Sequence, residues 1–314
     1  MRNTTTVERI IDELHLNAIA YKQIQNSSYT SIYKFASIKN TIEGGIYFFE
    51  DVSIVKKFNI KNSIIFCSEP FETENNLIIV ENPQLSHYKV NAAINTVKLV
   101  GISASSKIDD EAKIGNDVFI GENCVIGKCI IKDNVVIKHN VVVEDNVIIN
   151  KNAFIDSNSV IGAAGLAWIW DANGNRIIQS QLGGVIIGED CILATDVTIV
   201  RGSLSENTTI GKGTVIAHGT KIGHGAIIKD HVHMANNVSL AGNAVIGERT
   251  FLGSACVVSS NIKVADNCII GAGAVVNKTV EESFVTLAGV PAKVIKRANY
   301  EDKPNGVPKP FKKK

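Results

Sequence analysis

Histidine is the side chain of this 314-residue sequence best suited to moving a proton near neutral pH, and there are seven. Four fall close together: His218 in IAHGTK, His224 in KIGHGA, and His231 and His233 as an HxH pair. The HxH spacing suits a metal, but no third ligand stands at a familiar distance, so no metal is expected. The six cysteines contain no CxxC pair, so neither structural zinc nor a disulfide is expected. Trp168 and Trp170 share the stretch AGLAWIWDANGNRIIQSQLGG, where core packing and ligand contact are both open readings. His15, His87 and His139 read as ordinary surface or helix residues.

What must position these residues is a repeat. From Ile102 an aliphatic residue recurs every six positions to Ile126, then, after one five-residue step, from Ile131 to Ile161. The period breaks around 166–184, returns at Ile187, Leu193 and Ile199, and breaks again over 201–209. It then holds without error from Ile210 through Met234 to Val276. A period of six fits neither an amphipathic helix nor an alternating strand. It fits a triangular, left-handed parallel β-helix with one hexad per face and three per coil. The 26 hexads make about eight or nine coils, and at roughly 4.8 Å per coil the prism is about 40 Å long. Each aliphatic points inward and stacks on its counterpart three hexads on, while Gly, Asn and Asp serve the corners. Cys124, Cys191, Cys256 and Cys268 take a slot that Ala, Val and Ile fill elsewhere, which makes them small core residues.

Residues 1–100 lack the hexad and form a small α/β domain. Val7–Leu16 reads as a helix with Thr5 or Thr6 as N-cap, and Asn82-Pro83 opens another through about Asn95. Ile46–Phe49, Ser63–Cys67 and Asn76–Val80 read as strands. The expected division is 1–100 for this domain, 101–284 for the β-helix, and 285–314 for a C-terminal segment ending in the proline-rich, basic EDKPNGVPKPFKKK. Lysine and arginine number 32 against 31 aspartates and glutamates, a balance that does not suit a nucleic-acid or polybasic membrane binder. No apolar run approaches the length of a membrane-spanning helix, and MRNTTTVERI lacks a signal-peptide core. A cytoplasmic protein with no transmembrane segment is therefore expected.

Several stretches carry a closer resemblance: GGIYFF at 44–49, VENPQL at 80–85, VIGAAG at 160–165, GGVIIGEDCILATDVTIVRGSL at 183–204, KIGHGAIIKD at 221–230 and SLAGNAVIG at 239–247. Over about residues 30–276 the chain resembles the UDP-3-O-acylglucosamine N-acyltransferase family. That resemblance implies that His224 is the general base, because an amino-sugar nitrogen is protonated near pH 7 and must lose a proton before attacking a thioester. It implies that the N–H of Gly242, one coil on, holds the oxyanion. It implies that Phe48, Asp51, His218, Trp168 and Trp170 meet the substrate, with the nucleotide base in the N-terminal domain. Two positions depart from the family. Ala217-His218 replaces an acidic residue followed by asparagine, removing a carboxylate that could orient the base. Asp51 and Ile54 replace an asparagine and a tyrosine, so the family's aromatic stacking is missing and a nucleotide other than UDP, such as a dTDP-sugar, fits the change.

The stretch IIGAGAVVNKTVEESFVTLAGVPAKVIKR at 269–297 resembles instead the closing segment of CoA-dependent hexapeptide acetyltransferases. This implies acyl-CoA as co-substrate, with Lys293, Lys296 and Arg297 meeting its phosphates; a solvated basic strand is the plainer alternative. The combined expectation is a homotrimeric N-acyltransferase moving an acyl group from acyl-CoA to the amine of a nucleotide-linked amino sugar for a surface glycan. The alternative is the lipid A enzyme itself, which uses acyl carrier protein. A zinc enzyme like the γ-carbonic anhydrases is disfavoured by histidine spacing, and an ice-binding prism by the lack of a regular threonine array.

Overall fold

The computed structural model describes residues 4–26 and 33–298; the basic tail at 301–314 lies outside them. The chain divides into two compact units, residues 1–98 and 99–314. Among the described residues no helix is long and apolar enough to cross a membrane.

The first unit is an α/β layer structure. Its helix Val7–Leu16 starts where the Thr6 side chain accepts from the Arg9 N–H at 3.3 Å, and Ile10 and Leu14 on one face are fully buried. Helix Pro83–Asn95 is capped by Asn82, which accepts from the Leu85 N–H at 2.9 Å. Four strands run parallel through the sheet centre: Tyr33–Phe35, Gly45–Phe48, Ile64–Cys67 and Asn76–Val80. Thr4–Thr5 and Tyr21–Ile24 flank them antiparallel. The unbroken apolar run Ile64-Ile65-Phe66-Cys67 is buried on both faces, as a central parallel strand requires. Three of these strands lie outside the sequence expectation, the two-residue Thr4–Thr5 among them. Tyr21–Ile24 has two exposed polar residues at its centre, and Tyr33–Phe35 is short, so neither shows a clear apolar period.

His87 also departs from the sequence reading. It belongs to a helix but is only 6% exposed, ringed by Phe35, Phe48 and Phe66, with Nε2 at 3.4 Å from the Ile46 carbonyl. Burial holds this imidazole below its ordinary range, only partly offset by the Ile46 carbonyl.

The second unit is mainly β, a left-handed parallel β-helix of three sheets of eleven, nine and eight strands. Strands pair in parallel with the coil above and below; Ile216 sits against Met234, Met234 against Leu252, and Leu252 against Ile270. The inward aliphatics from Ile120 to Val276 form one continuous core. Ile102 is the exception: it opens the first coil, has a strand partner on one side only, and is 50% exposed. Corner residues adopt positive φ, and most of them are Asn, Asp or Gly, among them Asn140, Asn158 and Asn243. All six cysteines are buried, and burial pushes the Cys256 thiol up to about 12. Val285–Ala288 continues the eleven-stranded sheet in parallel, and Lys293–Arg297 turns back antiparallel to close it.

Candidate functional site

The repeat dictates where side chains at one hexad position emerge. In most coils the residue two after the inward aliphatic also stabilises the coil beneath. The carboxylates of Asp145, Asp230 and Asp266 accept from the amides of Lys128, Lys212 and Glu248 at 2.7–2.8 Å. Gly242 holds this same position two after Leu240, and His224 the same position two after Ile222. A Cβ on Gly242 would overlap the His224 imidazole and would lie nearest Nε2. Glycine therefore leaves the space in which the ring sits, and Nε2 faces the Gly242 backbone. Among the described residues no acceptor engages the Gly242 N–H.

Both breaks in the period leave from this same corner, between the nine- and eight-stranded sheets. The first follows strand Val160–Ala163 and precedes Gly184–Ile187. The second follows Thr198–Val200 and precedes Asn207–Ile210. His224 and Gly242 come from the corners of the next two coils. The second break reaches His224 directly: Ser203 Oγ lies 3.1 Å from His224 Nδ1. Its path is tight, since a Cβ on Gly202 would overlap the Glu206 carbonyl oxygen. Thr208 Oγ1 donates to the Val200 carbonyl at 2.6 Å and accepts from the Gly225 N–H at 2.9 Å, tying the break to the residue after His224. Arg201 anchors its start by donating to the carbonyls of Gly162 and Asp145 at 2.8 and 3.1 Å. The Leu182 and Gly183 N–H groups donate to the carbonyls of Ser203 and Gly202 at 2.9 and 3.2 Å, so the two breaks brace each other.

The first break folds into a hairpin, with Trp168–Trp170 paired antiparallel to Arg176–Ile178. Neither tryptophan is in the core: they are 47% and 55% exposed. Their rings meet edge to face at 5.1 Å, and the Arg176 guanidinium sits 5.1 and 5.2 Å from the two ring centres. Core packing fails for them because the hairpin stands outside the coil, where no inward slot exists. Below this corner a cleft of ≈ 490 Å³ runs over Ile130 and Ile148 on the eight-stranded sheet, from Lys113 and Lys128 to Leu182 and Leu204.

The other sequence-derived residues fall elsewhere. His218 occupies the same hexad position as His224 but on the preceding corner, where its Nδ1 lies 2.8 Å from Thr195 Oγ1. His233 packs against Phe251 at 5.1 Å on a flat face, and among the described residues no group of three metal-ligating side chains forms. Phe48 and Asp51 line one cleft of ≈ 530 Å³ in the first unit, together with Ile54, Glu50, Ser37 and Gln84. Asp51 caps the short 3-10 helix Val52–Lys57, accepting from Ser53 N–H at 2.9 Å, and its hydrogen bonds with Ser53 hold its carboxyl below the usual range. Tyr88, one turn beyond Gln84, meets Phe48 edge to face at 5.9 Å. Arg297 pairs with Glu282 at 2.9 Å, whereas Lys293 and Lys296 are exposed and form no ion pair among the described residues.

Ser203, Glu206, Thr208, Arg176 and Tyr88 escape a reading of the sequence. The signal that pointed to three of them is the break at 201–209, which lies in the coil before His224.

The bacterial transferase hexapeptide family, described as six repeats, matches residues 128–163 and 243–278. No curated protein sequence matches the chain. Among solved structures, the chain is similar to LpxA from Acinetobacter baumannii, at 26% identity and a TM-score of 0.55 over 62% of this chain and 72% of that one. It is similar to the UDP-N-acetylglucosamine acyltransferase of Francisella novicida, again at 26% and 0.55, over 62% and 68%. The UDP-N-acetylglucosamine O-acyltransferase LpxA of Moraxella catarrhalis shares the fold at 24% identity, with a TM-score of 0.55 over 62% and 73%.

Proposed function

We propose that this chain, which carries the bacterial transferase hexapeptide in a left-handed β-helix, is an acyltransferase acting on a nucleotide-linked sugar. The observation that carries the reading is the His224–Gly242 corner. An imidazole nitrogen faces a backbone whose N–H has no acceptor among the described residues, and a glycine is required for the two to meet. His224 takes the proton from the acceptor as it attacks the thioester carbonyl, and the Gly242 N–H receives the oxyanion. The cleft around Phe48 and Asp51 takes the nucleotide base. The acceptor is the amine of an amino sugar and the donor is an acyl-CoA, whose phosphates meet Lys293, Lys296 and Arg297. For Arg297 this requires release from Glu282.

The similarity to UDP-N-acetylglucosamine acyltransferases favours a second reading, in which the acceptor is a sugar hydroxyl. Both need the same base and the same oxyanion donor. The purified protein is offered a panel of UDP- and dTDP-amino sugars and UDP-N-acetylglucosamine with several acyl-CoAs and with acylated carrier protein. Products are identified by mass spectrometry before and after mild alkali. An alkali-stable amide made from acyl-CoA is expected. An ester product moves the acceptor to a hydroxyl, activity only with carrier protein removes CoA, and no transfer with any pair overturns the proposal.

The reading includes a homotrimer, in which a second copy walls the site, since one flat prism face gives little concavity. The exposed apolar side chains of the first break, Leu166, Ile169 and Ile177 among them, favour such a neighbour. Light scattering of active protein at three times the mass of one chain is expected, and a monomer would remove the shared site.

A further inference from the structure

Between Leu166 and Leu182 the first break carries one cation, Arg176, and one carboxylate, Asp171. They do not pair. The hairpin turn claims Asp171, whose carboxylate accepts from the N–H groups of Asn173 and Asn175, each at 2.8 Å, and from the Asn175 side-chain amide at 3.1 Å. Arg176 is exposed and forms no ion pair among the described residues. We propose that Arg176, held by Trp168 and Trp170, is a phosphate-binding residue that takes the diphosphate of the nucleotide-linked sugar. The identity of that ligand rests on the proposed function; the anion site itself stands without it.

The hairpin register puts these side chains together. Trp168 stands opposite Ile178 and Trp170 opposite Arg176, so all four share one face, while Ile169 and Ile177 share the other. The guanidinium lies 5.1 and 5.2 Å from the two indole centres. An aromatic ring attracts the charge but accepts no ordinary hydrogen bond, so the five N–H donors of the guanidinium stay unspent. Their planar fork matches the paired oxygens of a phosphate. The two rings also restrict a long side chain in advance, so less freedom is lost when an anion arrives. Strand pairing alone does not call for a cation here, since an apolar residue would meet Trp170 as Ile178 meets Trp168.

Position selects the ligand. The break leaves the coil at the corner that carries His224, and its returning end is braced there: the Leu182 N–H donates to the carbonyl of Ser203, whose hydroxyl lies 3.1 Å from His224 Nδ1. A nucleotide-linked sugar presented to that corner brings its diphosphate with it. Of the two arginines in the breaks, Arg201 directs its Nε and Nη2 donors to the carbonyls of Gly162 and Asp145. Arg176 is the one whose donors face outward. The cations assigned to the phosphates of acyl-CoA, Lys293, Lys296 and Arg297, belong instead to the strand that closes the repeat.

The chain has two tryptophans, both in this cluster, so its intrinsic tryptophan emission reports on the site alone. The full chain is titrated with inorganic pyrophosphate, followed by that emission and by calorimetry. Saturable binding is expected in the wild type. Arg176→Gln should weaken it by roughly 10–100-fold, the scale of a lost charge-assisted pair. Arg176→Lys keeps the charge without the fork and should fall between. The coupling of the two indoles in circular dichroism shows that the hairpin still forms, and where Arg176→Gln loses it, Arg176→Lys decides. UDP and dTDP should displace pyrophosphate, and in the acyl-transfer assay Arg176→Gln should raise KM for the nucleotide sugar and not for acyl-CoA. No binding by either readout, equal affinity in the variants, or sulfate binding as tightly as pyrophosphate (an adventitious ion only) overturns the site. Displacement by CoA as readily as by UDP or dTDP overturns its assignment to the sugar nucleotide. If the wild-type protein transfers no acyl group at all, the proposed function fails while the pyrophosphate titration still decides the anion site.

Discussion

Two corners of one coil carry a histidine at the same repeat position. His218 follows strand Val215–Ile216, and His224 follows Lys221–Ile222. Each ring has a hydroxyl at Nδ1: Thr195 for His218 and Ser203 for His224. The difference lies in the neighbouring coils. One coil beyond His224 stands Gly242, while one coil beyond His218 stands Asn236. One coil before, Thr195 belongs to an unbroken hexad, while Ser203 belongs to a break in which the Glu206 carboxylate accepts from the Ser203 backbone N–H at 2.6 Å. His218 is exposed and His224 is half-buried. A regular coil places a side chain but gives it nothing to act with, and the departures from the repeat turn a position into a site.

The largest expected effect breaks this comparison at its centre. His224→Ala should lower kcat by roughly 10²–10⁴-fold, the range for a lost general base, with the circular dichroism of the folded chain unchanged. Near-wild-type turnover would end the claim that this corner differs in kind from its neighbour. Next comes the glycine. Gly242→Ala forces the imidazole aside without removing any polar group, and a displacement of that size should cost about 10²-fold in kcat. A crystal structure of that variant with the ring unmoved would show that the glycine serves packing alone. His218→Ala sharpens the comparison from the other side, since it should change kcat far less than His224→Ala. Equal losses would mean that both corners serve one reaction.

The smallest effect concerns stability rather than turnover, at a third histidine. His87 is buried among Phe35, Phe48 and Phe66, and burial holds its pKa down. Between the unfolded value near 6.5 and the lower folded value, the unfolded chain binds the extra proton. The stability that neutral His87 allows is therefore complete above that window and falls as the pH drops through it. Thermal unfolding of wild type against His87→Phe across this range should show a steeper acid loss in the wild type. Parallel curves would mean that His87 takes its proton in the folded state without cost.

How much of this was legible follows from what each feature depends on. The hexads from Ile210 to Val276 could be read one by one, because a parallel β-helix needs each inward residue every sixth position regardless of distant contacts. Asn and Asp at corners such as Asn140 and Asn158 follow from backbone conformation alone. Helices Val7–Leu16 and Pro83–Asn95 announce themselves through local caps at Thr6 and Asn82. The polar edge strand Tyr21–Ile24 does not, because its stability comes from pairing with Asn76–Val80, far along the chain.

The same division runs through the site. Chain order alone brings His224 and Gly242 to one corner, since they stand three hexads, one full coil, apart. It also marks the two stretches that leave the repeat. It cannot say where a broken coil travels, because no periodicity governs it. Only the folded chain decides that Trp168 and Trp170 stand outside the core and that Glu206 curls back under Ser203. Only there does the Ser203 hydroxyl meet Nδ1 of His224. These contacts depend on the close approach of backbones at Gly202 and Gly242, which is a property of coils stacked in space and not of any local stretch of sequence.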